Sequence, residues 1–193
     1  MAYPKYVKVD NIKYPINTDY RVAIECNRIA EDENIGDFER VLALIYTLFG
    51  EKALNTPEHY EKLLELAKKY LLCGKEYKNE NNEKPDMDFI EDMPYIKASF
   101  KSDFNINLND EKMHWWEFNE YLDGLSNSEL GNCCVLNRVR ELRNLDLSKI
   151  KDAKERDRLS KAKERVALHK NNTKREFTKE EIKNMEEYHK IFD

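Results

Sequence analysis

Glu111, Lys112, Met113 and His114 spell Glu-x-x-His, and Glu186 to His189 spell it again. On a helix, residues three apart share a face, so each pair would present a carboxylate and an imidazole together. Two such pairs on different helices make half of the ligand set of a di-iron carboxylate bundle. The other half is an inward glutamate from each of two further helices, and nothing marks such a residue. His59 and His169 are preceded three positions earlier by Thr56 and Val166, which supply no ligand. Glutamate is common enough in this chain for such matches to arise by chance, and the second pair sits in a charged terminal stretch that reads as solvated. The expectation is no metal site and no cofactor.

No other catalytic pattern appears. The phosphate-binding glycine loops, the G-x-S-x-G nucleophile turn and the H-E-x-x-H zinc motif are all missing. The cysteines Cys26, Cys73, Cys133 and Cys134 form no C-x-x-C pair and lack the basic or glycine-rich surroundings that activate a thiol. They read as reduced, small core residues of a cytoplasmic protein. A non-enzymatic function is expected.

The densest chemistry lies in "MHWWEFNEYLDGL", Met113 to Leu125. Trp115, Phe118, Leu122 and Leu125 recur at helical spacing and form one stripe. Trp116 is rotated from Trp115 by about 100° and widens the apolar face. The bland reading is a helix buried between "DFIEDMPYIKASF" and "SELGNCCVLNRV". A sharper one leaves Trp116 or Tyr121 at the surface as a partner anchor, since both residue types are favoured at binding hot spots. Stacking of single-stranded nucleic acid is a third, disfavoured by the local acidity.

A second candidate surface is "SKIKDAKERDRLSKAKERVALHK". Its apolar stripe is thin: Ile150, Ala153, Leu159, Ala162, Val166. Asp152–Arg156 and Asp157–Lys161 stand at i,i+4 spacing. It reads either as a solvated helix or as a docking arm for an acidic or helical partner, with Arg156, Arg158, Lys161 and Arg165 as contacts.

The elements that must position these surfaces are mostly helices. Tyr6–Val9 and Ile12–Tyr14 around Asp10-Asn11 predict a β-hairpin. Helices are expected from Thr18, with Asp19 in the first turn; over "DFERVLALIYTLFG", ended by Gly50; and from Thr56 as N-cap, with Pro57 first and Gly74 closing. Residues 75–88 are polar and read as a linker or loop. A helix follows near Asp88 that starts or kinks at Pro94. Further helices are expected from Asn109 or Asp110 to Gly124, from Ser126 with a Ser126/Glu129 capping box, from Ser148 to about Lys170, and from Thr178 with a Thr178/Glu181 box. The fold class is mainly α: a multi-helix bundle with a short N-terminal β-hairpin and a charged C-terminal helical extension. The chain divides into 1–74, hairpin plus three helices; 75–88, linker; 89–147, an aromatic-rich helical unit packing on the first; and 148–193, the charged extension.

Charge follows this division. The net charge of −5 conceals eleven basic against four acidic residues in 149–175, and nineteen against twenty-eight in 1–147. A nucleic-acid-binding domain is usually basic overall, so nucleic acid is not the partner expected. No signal pattern opens the chain, and its longest apolar run, "VLALIYTLFG", falls short of the about 20 residues that span a bilayer. A cytoplasmic protein without membrane contact is expected.

"YPINTDYRVAIECNRI", "FERVLALIYTLFG", "DMPYIKASFKSDFNINL", "MHWWEFNEYLDGL" and "RVRELRNLDLSKIKDAKERDRLSKAKERVAL" together resemble the "gene product fifteen" family of tailed phages and prophages of Gram-positive bacteria, over roughly residues 7 to 168. Asp10-Asn11 stands where an Asn-Gly turn is expected. The resemblance implies no catalytic residues. It implies genes placed between those of the major tail protein and the tape-measure protein, the position of tail-assembly chaperones. The function expected is a tail-assembly chaperone in the host cytoplasm that binds the tape-measure or another tail protein, with self-association a further option. The alternatives are a minor structural or tail-completion component of the virion and a nucleic-acid-binding accessory protein.

Overall fold

A computed structural model describes residues 2–75, 85–128 and 132–169. Its first elements are strands β1 (Tyr6–Val9) and β2 (Ile12–Pro15), paired antiparallel with Val9 opposite Ile12. Asp10 and Asn11 both hold positive φ, 44° and 71°. A two-residue turn of this hand matches the twist of the strands it joins, and the short polar side chains of Asp and Asn tolerate it. Lys62 then fastens the turn to the body by its 2.7 Å ion pair with Asp10.

Seven α-helices follow among the described residues: α1 (Tyr20–Glu31), α2 (Asp37–Phe49), α3 (Tyr60–Leu71), α4 (Met93–Phe104), α5 (Trp115–Asp123), α6 (Val135–Asn144) and α7 (Ala153–Arg165). The mainly α class with an N-terminal hairpin is thus the observed one. Helix α2 ends at Gly50, whose φ of 81° suits a residue without Cβ. Pro94 lies in the first turn of α4, so the helix starts there and is not kinked.

Several boundaries differ from the sequence expectation, most of them because a tertiary bond wins over a local one. Asp19 caps α1 from outside, accepting from Arg21 N–H at 3.0 Å, while Thr18 gives its carbonyl to Trp115 N–H at 2.8 Å. Thr56 does not cap α3: its hydroxyl meets the Tyr14 hydroxyl at 2.9 Å, and a 3₁₀ turn over Pro57–His59 precedes the helix. Helix α5 starts at Trp115 and not at Asn109, because Tyr20 N–H takes the Met113 carbonyl and a bridge pairs Asp19 with His114. The expected Ser126 cap of α6 is spent on Asp103, which Ser126 engages through both N–H and Oγ; the Cys134 thiol accepts at the start of α6 instead. The extension opens with a 3₁₀ turn at Leu147–Lys149 and becomes α7 only at Ala153. The helix expected from Thr178 lies outside the described residues, as do 76–84 of the expected linker. Residues 86–88 are anchored: Asp86 pairs with Arg140 at 3.1 Å, and Met87 packs against the core.

One apolar cluster runs from Val9 to Leu136, drawing on β1, β2 and α1 to α6. At its centre Phe118 is fully buried and lies between Tyr20 (ring centroids 4.6 Å), Phe100 (5.2 Å) and Trp115 (5.7 Å). Offset rings at such distances add to the gain from area burial. Helix α7 buries no residue.

Candidate partner-binding surfaces

The Glu111/His114 pair is taken apart by the late start of α5. His114 is the N-cap, so the two residues do not share a helical face. Its Nδ1 accepts from Trp116 N–H at 3.0 Å, and its Nε2 faces the Pro4 carbonyl at 2.9 Å. A carbonyl can only accept, so Nε2 carries the proton, and neither nitrogen has a lone pair left for a metal. Tyr3 stacks on the ring at 4.8 Å. The second pair, Glu186/His189, lies outside the described residues. Among the described residues no group of three or more His, Cys, Asp or Glu is placed to hold a metal.

The thiols are poorly placed for nucleophilic work. Burial pushes Cys26 up to about 12 and Cys73 up to about 11, so both stay protonated at neutral pH. Desolvation and the Glu141 carboxylate raise Cys133 as well.

Trp116 and Tyr121 are both half-buried. The Trp116 indole donates to the Tyr70 carbonyl at 2.9 Å and stacks on Tyr70. A Cβ at Gly74, where φ is +73°, would sit 3.2 Å from the same indole. Tyr121 leans on Phe104, with centroids 4.9 Å apart. Each ring therefore has one face fixed by the core. Trp115, Phe118 and Leu125 are core, and Leu122 is half-buried. One of the two expected walls of α5 is present, α4 with Phe89; the other differs, since α5 packs on α1 while α6 packs on α4. The paired backbone of 18–20 and 113–115 draws α5 onto the first helices.

On its outer side α5 carries Glu117, Glu120 and Asp123 and no basic residue. Tyr3 donates to Glu120 at 2.6 Å, and that bond, with the neighbouring carboxylates, pushes its phenol up to about 12. Lys75 reaches Asp123 at 3.2 Å.

Beside the C-terminal half of α5 lies a groove of about 890 Å³, bounded by 86–89, α6 and 145–150. Met87, Phe89, Leu122, Leu125, Leu145 and Ile150 give it apolar surface; Asp123, Glu141 and Asp146 supply carboxylates, and Arg140 and Lys149 cations. Sequence periodicity did not reveal this groove, because its walls come from segments far apart in the chain. The polar run 75–88 hid Met87 and Asp86.

One side of the groove is held by Arg143. Its guanidinium forks onto Asp92 at 2.6 and 2.7 Å, and also donates to the carbonyls of Asp86 and Val166. The Arg143 side chain is 9% exposed and that of Asp92 1%. A bidentate pair with this burial fixes geometry as well as charge. The Val166 bond, with Lys163 donating to the Leu145 carbonyl, holds the end of α7 to the body.

Helix α7 packs on α6 with Leu159 and Ala162 half-buried, and its basic side is open. Arg156, Arg158, Lys161 and Arg165 are all exposed. The expected Asp157–Lys161 pair forms at 2.7 Å. The expected Asp152–Arg156 pair does not: Asp152 caps the helix through Glu155 N–H, and Arg156 donates to the Ile150 carbonyl.

The sequence model of one protein family, described as Bacteriophage Gp15 protein, matches residues 3–168. No curated protein and no solved structure matches the chain.

Proposed function

The chain belongs to the bacteriophage Gp15 protein family, and from that premise we propose that it is a non-catalytic tail-assembly chaperone, binding the tape-measure or another tail protein in the host cytoplasm while tails form. The observation that carries the reading is the groove beside α5 and α6, with its apolar floor and charged rim. An amphipathic helix lays its apolar face into such a groove, and a rim of exposed charges sets encounter rate and orientation more than affinity. A chaperone must release its client, and a partly polar groove suits reversible capture. No helix among the described residues is long and apolar enough to cross a membrane.

Co-expression with the tape-measure protein of the same phage tests the reading. The tape-measure protein should move into the soluble fraction and co-purify, and Leu122→Glu, which puts a charge into the groove, should abolish capture. No gain in solubility and no co-purification would refute it. Mass spectrometry of finished virions separates the chaperone, absent from the particle, from a minor structural or tail-completion component, which remains.

A further inference from the structure

Helices α5 and α7 carry opposite charge, and no hydrogen bond or ion pair joins them among the described residues. Helix α5 holds three carboxylates and no cation; α7 holds six cations and three carboxylates. On α7, Lys154, Arg158, Lys161 and Arg165 follow at i, i+4, i+7 and i+11, which places them on one narrow stripe. All four are exposed. Glu155 and Asp157 occupy Arg158 and Lys161 from the flank; no described carboxylate pairs with Lys154 or Arg165. On α5, Glu117, Glu120 and Asp123 follow at i, i+3 and i+6 along the outer side, where Glu120 accepts from Tyr3 and Asp123 from Lys75, both exposed contacts.

The last three cations of the basic row match the acidic row in length, and Lys154 extends beyond it. At 1.5 Å per residue, Arg158 to Arg165 spans about 10 Å and Glu117 to Asp123 about 9 Å. Trp116 and Tyr121 flank the acidic row with one ring face already packed, and arginine stacks well on such rings. Within one chain the end of α7 is tied to α6 by Arg143 and to Leu145 by Lys163.

We propose that α7 of one copy docks through its basic row on the acidic row of α5 in a second copy. The contact joins two different surfaces, so it is head-to-tail and propagates into a ring or an open chain. One helix on another covers far less than the about 1,600 Å² of a standard interface, so association falls in the micromolar range and depends on salt. The proposal does not depend on the identity of any tail partner: of the acidic row only Asp123 borders the groove, Glu117 and Glu120 lie outside it, and Leu122→Glu replaces none of the row residues.

Sedimentation equilibrium of the full chain at 50 and 500 mM NaCl tests it. The mass should rise with concentration at low salt and return to the 23.1 kDa monomer at high salt. R158E/K161E/R165E and E117K/E120K should each weaken association at least tenfold. An equimolar mixture of the two variants should associate again, because the native α7 of one meets the native α5 of the other and the two reversed rows are also of opposite charge; that rescue also shows that both variants fold. A monomer at every salt concentration, or association that neither triple nor double reversal weakens, overturns the proposal. So does failure of the mixture to associate when both variants keep the wild-type circular dichroism spectrum. If the wild type stays monomeric but binds a single-stranded oligonucleotide and R158E/K161E/R165E removes that binding, the basic row is a nucleic-acid surface instead.

Discussion

The aromatic centre around Phe118 and the module of residues 86–92, α6 and α7 are built on different physics. The first is held by buried area and ring packing, with Phe118 enclosed on three sides by Tyr20, Phe100 and Trp115. In the second, Leu136 of α6 still reaches the core, but Arg143, Asp92 and Asp86 tie 86–92, α6 and the end of α7 together by a few directional bonds at its edge. Non-directional burial tolerates small shifts and keeps its energy; a bidentate ion pair keeps its energy only in one geometry. The difference teaches where the molecule is fixed and where it is adjustable: the groove and the basic helix both belong to the region held by directional bonds.

The most severe way to break the aromatic side is Phe118→Ala. Removing a fully buried ring between three others should cost about 4 kcal/mol through lost transfer energy and a residual cavity. Guanidinium denaturation followed by tryptophan fluorescence reads it, since Trp115 is a neighbour. A cost below about 1 kcal/mol would mean that the cluster is loosely packed.

The next effect belongs to the other region. Arg143→Met leaves Asp92 buried without its cation, a cost of about 3 kcal/mol. The double variant Asp92→Asn, Arg143→Met removes both charges and should regain much of the loss, because the cost lies in the unpaired charge more than in the pair. Equal stability of single and double variants would show that Asp92 finds other partners. Limited proteolysis adds a spatial reading: cleavage within α7 should rise in the single variant while the body resists.

A smaller effect marks the seam. Ser99, buried on α4, accepts from Leu136 N–H at 3.0 Å in the first turn of α6. Ser99→Ala orphans that N–H, with an expected loss of about 1–2 kcal/mol. Faster hydrogen exchange of α6 amides than of α1 amides would confirm that the seam fails from the outer side.

The same contrast governs what was legible in the sequence. The hairpin could be read because Asp10-Asn11 imposes its turn locally. Gly50 and Pro94 mark helix ends by backbone chemistry alone, and the stripe of Trp115, Phe118 and Leu125 is a local period. Misread boundaries are those settled at a distance: Thr56 turned to Tyr14, Ser126 to Asp103, and Met113 and Trp115 to the 18–20 segment. The basic residues of α7 were visible because exposed charge needs no partner to be recognised. The groove and the Arg143 fork were not, because no periodicity encodes a meeting of residues 86–92 with 137–145.

The smallest effect is the sharpest test of the contrast. Lys161 pairs with Asp157 in the open, both side chains 65% exposed. Exposed pairs of this kind contribute at most about 1 kcal/mol and often much less, and alanine is a good helix former. Lys161→Ala should therefore change stability by less than about 0.5 kcal/mol, within the error of a denaturation curve. A clear destabilisation would place α7 among the elements that hold the fold. A silent result leaves its charges free to serve association, as expected of a helix that buries no residue of its own.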